Sequence, residues 1–201
     1  QYQLYFGQLH SHTQYSDGAG SLDAALDYVK NLPESANVLF VAFTDHSNYF
    51  DTTGAANPEG ALYDMSLASA SSQETWNSYR SSVAAFNEAN AGSLVALAGF
   101  EMTWSGGPGH INTFNTPGIV SRNNSTLNNK TDYAGMRAYY ALLSQQEGAD
   151  SRSQFNHPGN TFGTFGDFAF WDPVIDSRMY KVEAGNGEGQ IGAGGYSPRY
   201  E

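Results

Sequence analysis

Short apolar runs alternate with amphipathic segments along the chain, and the two patterns predict different elements. The runs 38–43 (VLFVAF) and 94–100 (LVALAGF) are nearly continuous, which is typical of strands buried on both faces. Shorter candidate strands lie at 4–9, 111–114, 154–156 and 179–182. The chain therefore carries strand patterns from its beginning almost to its end.

Helical patterns fall between these runs. Ser21 is a plausible N-cap for a first helix with a single apolar face. Ser71 and Glu74 form a capping box ahead of a second helix that presents Trp76, Tyr79, Val83 and Phe86. A third face, made of Met136, Tyr139, Tyr140 and Leu143, stops near Gly148. We assign these aromatic side chains to the core.

Alternation of strands and helices predicts an α/β domain with a parallel sheet. The length of 201 residues suits one domain, which we place at 1–201. Two loops are long and polar, at 47–71 and 117–131, and loops of that length often form the walls of functional sites.

Composition narrows the choice of partners. The net charge is −11, and the six arginines are scattered rather than grouped into a basic stripe, so we expect no nucleic-acid partner. No apolar run reaches the roughly 18 residues that a spanning helix needs, so we expect no membrane insertion.

Low lysine content and many Ser, Asn, Gly and Tyr residues favour a secreted or cell-surface bacterial protein over a cytoplasmic one. Oligomeric state is left open.

The chain has no cysteine. Disulfides, thiolate nucleophiles and cysteine-ligated zinc are therefore excluded. Candidate chemistry has to come from the histidines and the acidic residues.

Two of the five histidines stand one residue apart, in the segment 6–18 (FGQLHSHTQYSDG). Residues two apart in a strand point to the same side, so the His10 and His12 side chains lie on one side and could bind one metal ion. Asp17 follows five residues after His12. An isolated pair of this kind is a weak indication of a metal site.

The other histidines strengthen the indication because each lies at or beside a predicted strand end. His46 comes just after VLFVAF, Glu101 follows LVALAGF directly, His110 opens HINTF, and His157 follows SQFN. In α/β barrels and open sheets, chemistry gathers at the C-terminal ends of the strands. Imidazoles and carboxylates together can bind zinc, iron or manganese.

Four ordered motifs resemble the PHP family, named for polymerase and histidinol phosphatase. They are HSHTQYSDG (10–18), FTDHSN (43–48), GFEMTW with GHINTF (99–104 and 109–114), and FNHPGN (155–160). The resemblance extends from about Phe6 to Glu183. It implies a distorted TIM-like barrel of seven βα units, with two or three divalent ions at its C-terminal face.

The resemblance also implies roles for individual residues. His10 and His12 would hold one ion, which Glu101 would bridge to a second ion bound by His110 and His157. Asp17 and His46 would hold a third ion. Asp45 would orient a neighbouring ligand.

One feature departs from the family pattern. Family members usually end their ligand set with an Asp-x-His pair late in the barrel, and no histidine follows His157 here. Either the last strands are missing from this chain or the cluster is incomplete. The ending GGYSPRYE favours missing strands.

These residues predict hydrolysis of a phosphomonoester or phosphodiester on a phosphorylated small molecule. Ions held by histidine and carboxylate lower the pKa of bound water and offset charge on a phosphoester. Arg199 is a candidate phosphate contact, and Glu183 could line the site. The Gly-rich stretch 185–195 lacks a phosphate-binding motif and reads as a flexible loop.

Two alternatives remain. Amidohydrolase barrels also open with His-x-His, but they commonly use a bridging lysine in mid-barrel, and no lysine of this chain follows a buried mid-chain strand. The other alternative is a surface binding module that keeps its metal for stability and has no catalytic activity.

Overall fold

The structure is a computed structural model that describes residues 3–50, 70–104, 106–120, 126–145, 150–159, 162–169 and 171–184. Six strands form one sheet in these ranges: β1 (Gly7–Gln8), β2 (Phe40–Phe43), β3 (Val95–Thr103), β4 (His110–Phe114), β5 (Arg152–Asn156) and β6 (Met179–Val182). Their spatial order follows the chain from β1 to β6. The sheet curls into a half barrel. This shape agrees with part of the expected barrel of seven βα units.

Helices occupy most of the connections. They are α1 (Leu22–Lys30), α2 (Ser47–Phe50), α3 (Ala70–Ala89), α4 (Ala134–Gln145) and α5 (Pro173–Asp176). Short 3-10 turns lie at Glu34–Ala36, Thr131–Tyr133 and Phe165–Phe168. Among the helices of the described ranges, none combines the length and the apolar character needed to cross a bilayer.

The sheet is mixed, whereas the sequence pattern predicted a parallel one. β1, β2 and β3 are mutually parallel, and so are β5 and β6, but β4 runs antiparallel to both of its neighbours. Only residues 104–109 separate β3 from β4. A connection this short cannot make the crossover that parallel strands need, so β4 has to turn back along β3.

The predicted helices are present, with one shifted start. Ser21 caps α1 by accepting a hydrogen bond from the Ala24 amide at 3.2 Å. The second helix already begins at Ala70, ahead of the predicted capping box, and side chains 70–73 lie outside the described part. The predicted loop 47–71 contains α2, since Ser47–Phe50 continue as a helical turn directly after His46.

The core lies between the helices and the sheet. Trp76 and Tyr79 from α3 stack on each other at 5.3 Å and are fully buried, and Phe50 lies edge-on to Trp76 at 5.9 Å between ring centroids. Tyr139 and Tyr140 from α4 are also fully buried. The prediction that these aromatic residues belong to the core is confirmed.

Candidate metal centre

The histidines meet at one edge of the sheet. His10 and His12 come just after β1, His46 comes after β2, and His157 comes directly after β5. His110 is the first residue of β4. Because β4 is antiparallel, its beginning lies at the edge where the parallel strands end, and His110 pairs there with Asn156.

Glu101 lies at the centre of this group. It sits within β3 rather than beyond its end, because residues 101–103 continue the ladder with β4. The Glu101 amide donates to the Asp45 carbonyl at 2.9 Å, and its side chain is fully buried. An acidic side chain this deeply buried needs compensating partners.

Five imidazole nitrogens surround the Glu101 carboxylate, each within 3.5 Å of one of its oxygens. The individual separations are 3.5 Å for His10 Nε2, 3.4 Å for His12 Nε2, 2.7 Å for His46 Nδ1, 3.3 Å for His110 Nδ1 and 3.5 Å for His157 Nε2. The same side chains, with Ser11, Asp17 and Phe162, line a cavity of about 340 Å³. All five histidines of the sequence are therefore in one site.

Asp17 forms the outer side of the group. One of its carboxylate oxygens lies 2.6 Å from His12 Nδ1, and the other lies 3.5 Å from His46 Nε2. Its side chain is 52% exposed, whereas Glu101 is inaccessible. The two carboxylates thus contact shared histidines from opposite sides, one from solvent and one from the interior.

Burial and charge act against each other on these groups. Burial alone would raise the pKa of Glu101, but the close imidazoles of His10, His110, His12 and His157 hold that pKa well below its ordinary value. Burial alone would lower the pKa of His10, but Glu101 and Glu183 outweigh it and raise that pKa to about 9. The pKa of His110 is lowered, by burial first and by the neighbouring His157 and His46. The site is therefore built around an ionised carboxylate.

The donor set fits divalent metal ions. Ligand atoms lying within 4.8 Å of one another occur in three sets around this cavity, and each set combines imidazole with carboxylate: His10, His12 and Glu101; His12, Asp17 and His46; Glu101, His110 and His157. Several buried polar atoms there also make no hydrogen bond, among them His12 Nε2, His157 Nδ1 and Glu101 Oε2. Buried polar atoms normally have partners, and a cation would supply one.

Asp45 supports the centre through the loop that carries Asp17. Its carboxylate accepts hydrogen bonds from the Thr13 amide at 2.7 Å, the Thr13 hydroxyl at 2.9 Å and the Ser16 hydroxyl at 2.7 Å. Asp45 is fully buried. It therefore holds the turn between His12 and Asp17 in shape.

Asn156 was not singled out from the sequence. Its side-chain amide donates to Glu101 Oε1 at 2.7 Å and to Asn112 Oδ1 at 2.8 Å, and it is fully buried. The signal was its position immediately before His157 at the end of a strand. Asn156 fixes the orientation of the Glu101 carboxylate from the β5 side.

Glu183, considered from the sequence only as a possible lining residue, contacts the centre directly. Both of its carboxylate oxygens lie 3.1 Å from His10 Nδ1, and Oε2 also accepts from the His157 amide at 2.8 Å. Arg199 and the Gly-rich stretch 185–195 lie outside the described residues.

Two exposed aromatic rings flank the histidines. The Tyr49 ring lies 6.0 Å from that of His46, and the Phe162 ring lies 5.0 Å from His110 and 4.8 Å from His157. The two side chains are 49% and 42% exposed. Phe162 gives the cavity an apolar wall beside its polar floor.

Comparisons with known proteins support the fold. No protein-family model and no curated protein matches the chain. A two-domain protein from Bacteroides vulgatus ATCC 8482, which contains a predicted PHP-like metal-dependent phosphoesterase, is similar in structure, with a TM-score of 0.50 and 18% identity. The match covers 90% of this chain but only 44% of that protein. A candidate metal-dependent phosphoesterase from Bifidobacterium adolescentis ATCC 15703 gives a TM-score of 0.44 at 12% identity, over 96% of this chain and 79% of the other.

Proposed function

We propose that this chain is a metal-dependent phosphoesterase of the PHP type. The observation that carries the proposal is the convergence of all five histidines on the buried Glu101 carboxylate. A structural ion pair would need one partner for this carboxylate, whereas five imidazoles around one acid is an arrangement suited to binding several cations. The fold similarity to a protein with a PHP-like domain supports the same reaction class.

We assign the ligands as follows. His10 and His12 with Glu101 would hold a first ion, His110 and His157 with Glu101 would hold a second, and Asp17 with His46 would hold a third. Bound divalent ions of this kind generate a nucleophile from water near neutral pH and offset the negative charge of a phosphoester. The ions are zinc, manganese or iron, since imidazole and carboxylate accept all three.

The protein's own residues prepare the site for such ions. The neighbouring histidines keep Glu101 ionised, so it can contribute full negative charge. Asn156 holds one carboxylate oxygen at 2.7 Å, which limits rotation of the group. Asp45 shapes the loop that presents Asp17. Preorganised ligands bind without further ordering of their side chains.

The substrate we propose is a small phosphorylated molecule. A net charge of −11 disfavours long polyanions, whereas a cavity of about 340 Å³ suits a small ligand. A secreted or cell-surface location is part of the proposal, and it is supported by composition alone.

The test is a substrate screen on the purified chain after metal removal and reloading. Phosphomonoesters and phosphodiesters of nitrophenol are offered with Mn²⁺, Zn²⁺ or Fe²⁺, beside nitrophenyl amides and lactones. We expect metal-dependent release of nitrophenol from at least one phosphoester and none from the amides. Turnover of amides or lactones would favour an amidohydrolase-type enzyme, and bound metal without any turnover would favour a binding module.

A further inference from the structure

Glu183 directly follows β6, the last described strand, and its side chain reaches the segment that follows the first strand. Its amide donates to the Phe155 carbonyl at 2.8 Å, which extends the pairing of β6 with β5 by one residue. Its carboxylate reaches across to His10, beyond the end of β1. β1 and β6 are not neighbours in the sheet order, so this side-chain contact joins two strands that backbone hydrogen bonds do not join.

The contact determines how His10 can act. An ionised carboxylate only accepts hydrogen bonds, so His10 Nδ1 has to carry the proton that faces Glu183 at 3.1 Å. In the neutral ring, the lone pair is then on Nε2, which is the nitrogen that faces Glu101 Oε1 at 3.5 Å. Carboxylate partners set the tautomer and orientation of metal-binding histidines in this way.

The same carboxylate also holds His157. The backbone of His157 has a φ of +27°, a conformation that is unfavourable for a residue with a side chain. Glu183 Oε2 accepts the His157 amide proton at 2.8 Å, and the His157 imidazole presents Nε2 to Glu101 at 3.5 Å. One side chain therefore fixes two histidines that lie on different strands.

A second reading makes Glu183 a metal ligand, because donor atoms of His10, His157 and Glu183 also lie within 4.8 Å of one another. The geometry disfavours this reading. His10 would have to turn Nδ1 toward that ion, and the ring would then leave the Glu101 set or bind ions through both nitrogens. Both Glu183 oxygens already lie at hydrogen-bonding distance from His10 Nδ1, and Oε2 also accepts the His157 amide proton.

We propose that Glu183 is a positioning residue that commits His10 to the Nδ1–H form and fixes the backbone of His157, so that both imidazoles face Glu101. This proposal deepens the proposed function and rests on it, since the imidazoles are positioned for the ions assigned above. A merely structural role for Glu183 would leave the tautomer of His10 unaffected.

The decisive measurement is long-range ¹H–¹⁵N NMR of the histidine rings, with and without Zn²⁺. In the wild type we expect a His10 Nδ1–H proton that exchanges slowly with solvent in both states. Glu183→Ala should abolish that signal, and Glu183→Gln, whose amide oxygen can still accept, should keep part of it. Asp176→Asn removes an exposed acid of α5 and should leave the signal unchanged. Absence of this proton signal in the wild type would overturn the proposal. Its persistence in Glu183→Ala would overturn it as well.

Zn²⁺ titration separates the positioning role from the ligand role. Loss of an outer carboxylate typically weakens metal binding about 10- to 100-fold, and we expect this loss in Glu183→Ala with the number of bound ions unchanged. A variant that binds one ion fewer at saturation would identify Glu183 as a ligand and contradict the proposal. The NMR result does not need turnover, so a chain without phosphoesterase activity would refute the proposed function and still give an answer for Glu183.

Discussion

His46 Nδ1 and Glu101 Oε2 lie 2.7 Å apart, yet neither atom forms a hydrogen bond. The separation is short enough for a hydrogen bond, so the direction of the atoms must be wrong for one. Two buried polar atoms this close without a hydrogen bond are stabilised when a cation is bound to both of them. Because four further imidazoles lie within 3.5 Å of the same carboxylate, we expect the loss of Glu101 to affect metal binding most.

We expect Glu101→Gln to abolish phosphoesterase activity more completely than Asp17→Asn. Glu101 contacts five histidines and is assigned to two ions, whereas Asp17 contacts two histidines and is half exposed. Metal analysis should show two ions lost or weakened in Glu101→Gln and one in Asp17→Asn. Equal residual activity in the two variants would contradict the bridging assignment.

The Asp45 contacts predict a selective defect in the loop that carries Asp17. Asp45→Ala leaves the buried Thr13 amide and hydroxyl without their acceptor, and a buried group left unsatisfied costs about 1–3 kcal/mol. Urea unfolding should show a loss of that order, and metal titration should show weaker binding at the Asp17 set first. Asp27→Ala, on the exposed face of α1, is the control and should change stability by less than about 0.5 kcal/mol. A uniform loss of all ions in Asp45→Ala would argue against an effect through this loop.

The histidines of the site were predictable from the sequence because each lies at or near a strand end, and strand ends are visible in the pattern. His110 shows where that argument was incomplete. It opens its strand, and it joins the other histidines only because β4 is antiparallel, which follows from the six-residue connection before it. The predicted parallel sheet would have carried the start of that strand to the opposite edge.

The supporting contacts were less accessible from the sequence. Asn156 and Glu183 act through side chains that cross from one strand to another, and such pairings depend on register and on the curl of the sheet. Neither quantity can be read from apolar periodicity. The departure of β3 from its predicted end has the same origin, because the added residues are held by pairing with β4.

Three tyrosines in the core predict alkaline unfolding. Burial raises the pKa of Tyr79 and Tyr139 well above the ordinary value, and it also raises the pKa of Tyr140. Above about pH 10 the unfolded chain loses these protons while the folded chain keeps them. The folded state then binds more protons than the unfolded state, so the free energy of unfolding should fall as the pH rises beyond 10.

Unfolding by urea at a series of pH values from 8 to about 11.5 measures this effect. Tyr140→Phe, which removes one titrating group at similar volume, should make the decline shallower. Tyr28→Phe replaces an exposed tyrosine of α1 and should leave the slope as in the wild type. A slope that is the same in all three proteins would refute the assignment to buried phenols.

Phe162 predicts a preference for substrates with an aromatic leaving group. Its half-exposed ring lies against His110 and His157 at the cavity wall. The planar leaving group of a substrate could therefore stack on the open face of this ring. Aromatic pairs contribute about 0.5–1.5 kcal/mol, which corresponds to roughly a two- to tenfold change in affinity. Phe162→Ala should therefore raise KM for phenyl phosphate by about that factor and leave KM for ethyl phosphate nearly unchanged.

Two variants separate stacking from a general disturbance of the histidines. Phe162→Leu keeps an apolar side chain of substantial size against His110 and His157 but removes the aromatic face, so it should retain kcat and lose the preference for phenyl phosphate. Tyr28→Ala removes an exposed aromatic ring on α1 and should preserve both constants. If Phe162→Ala raised KM equally for the two substrates, the ring would be acting through the metal ligands and would not be a binding surface for the leaving group.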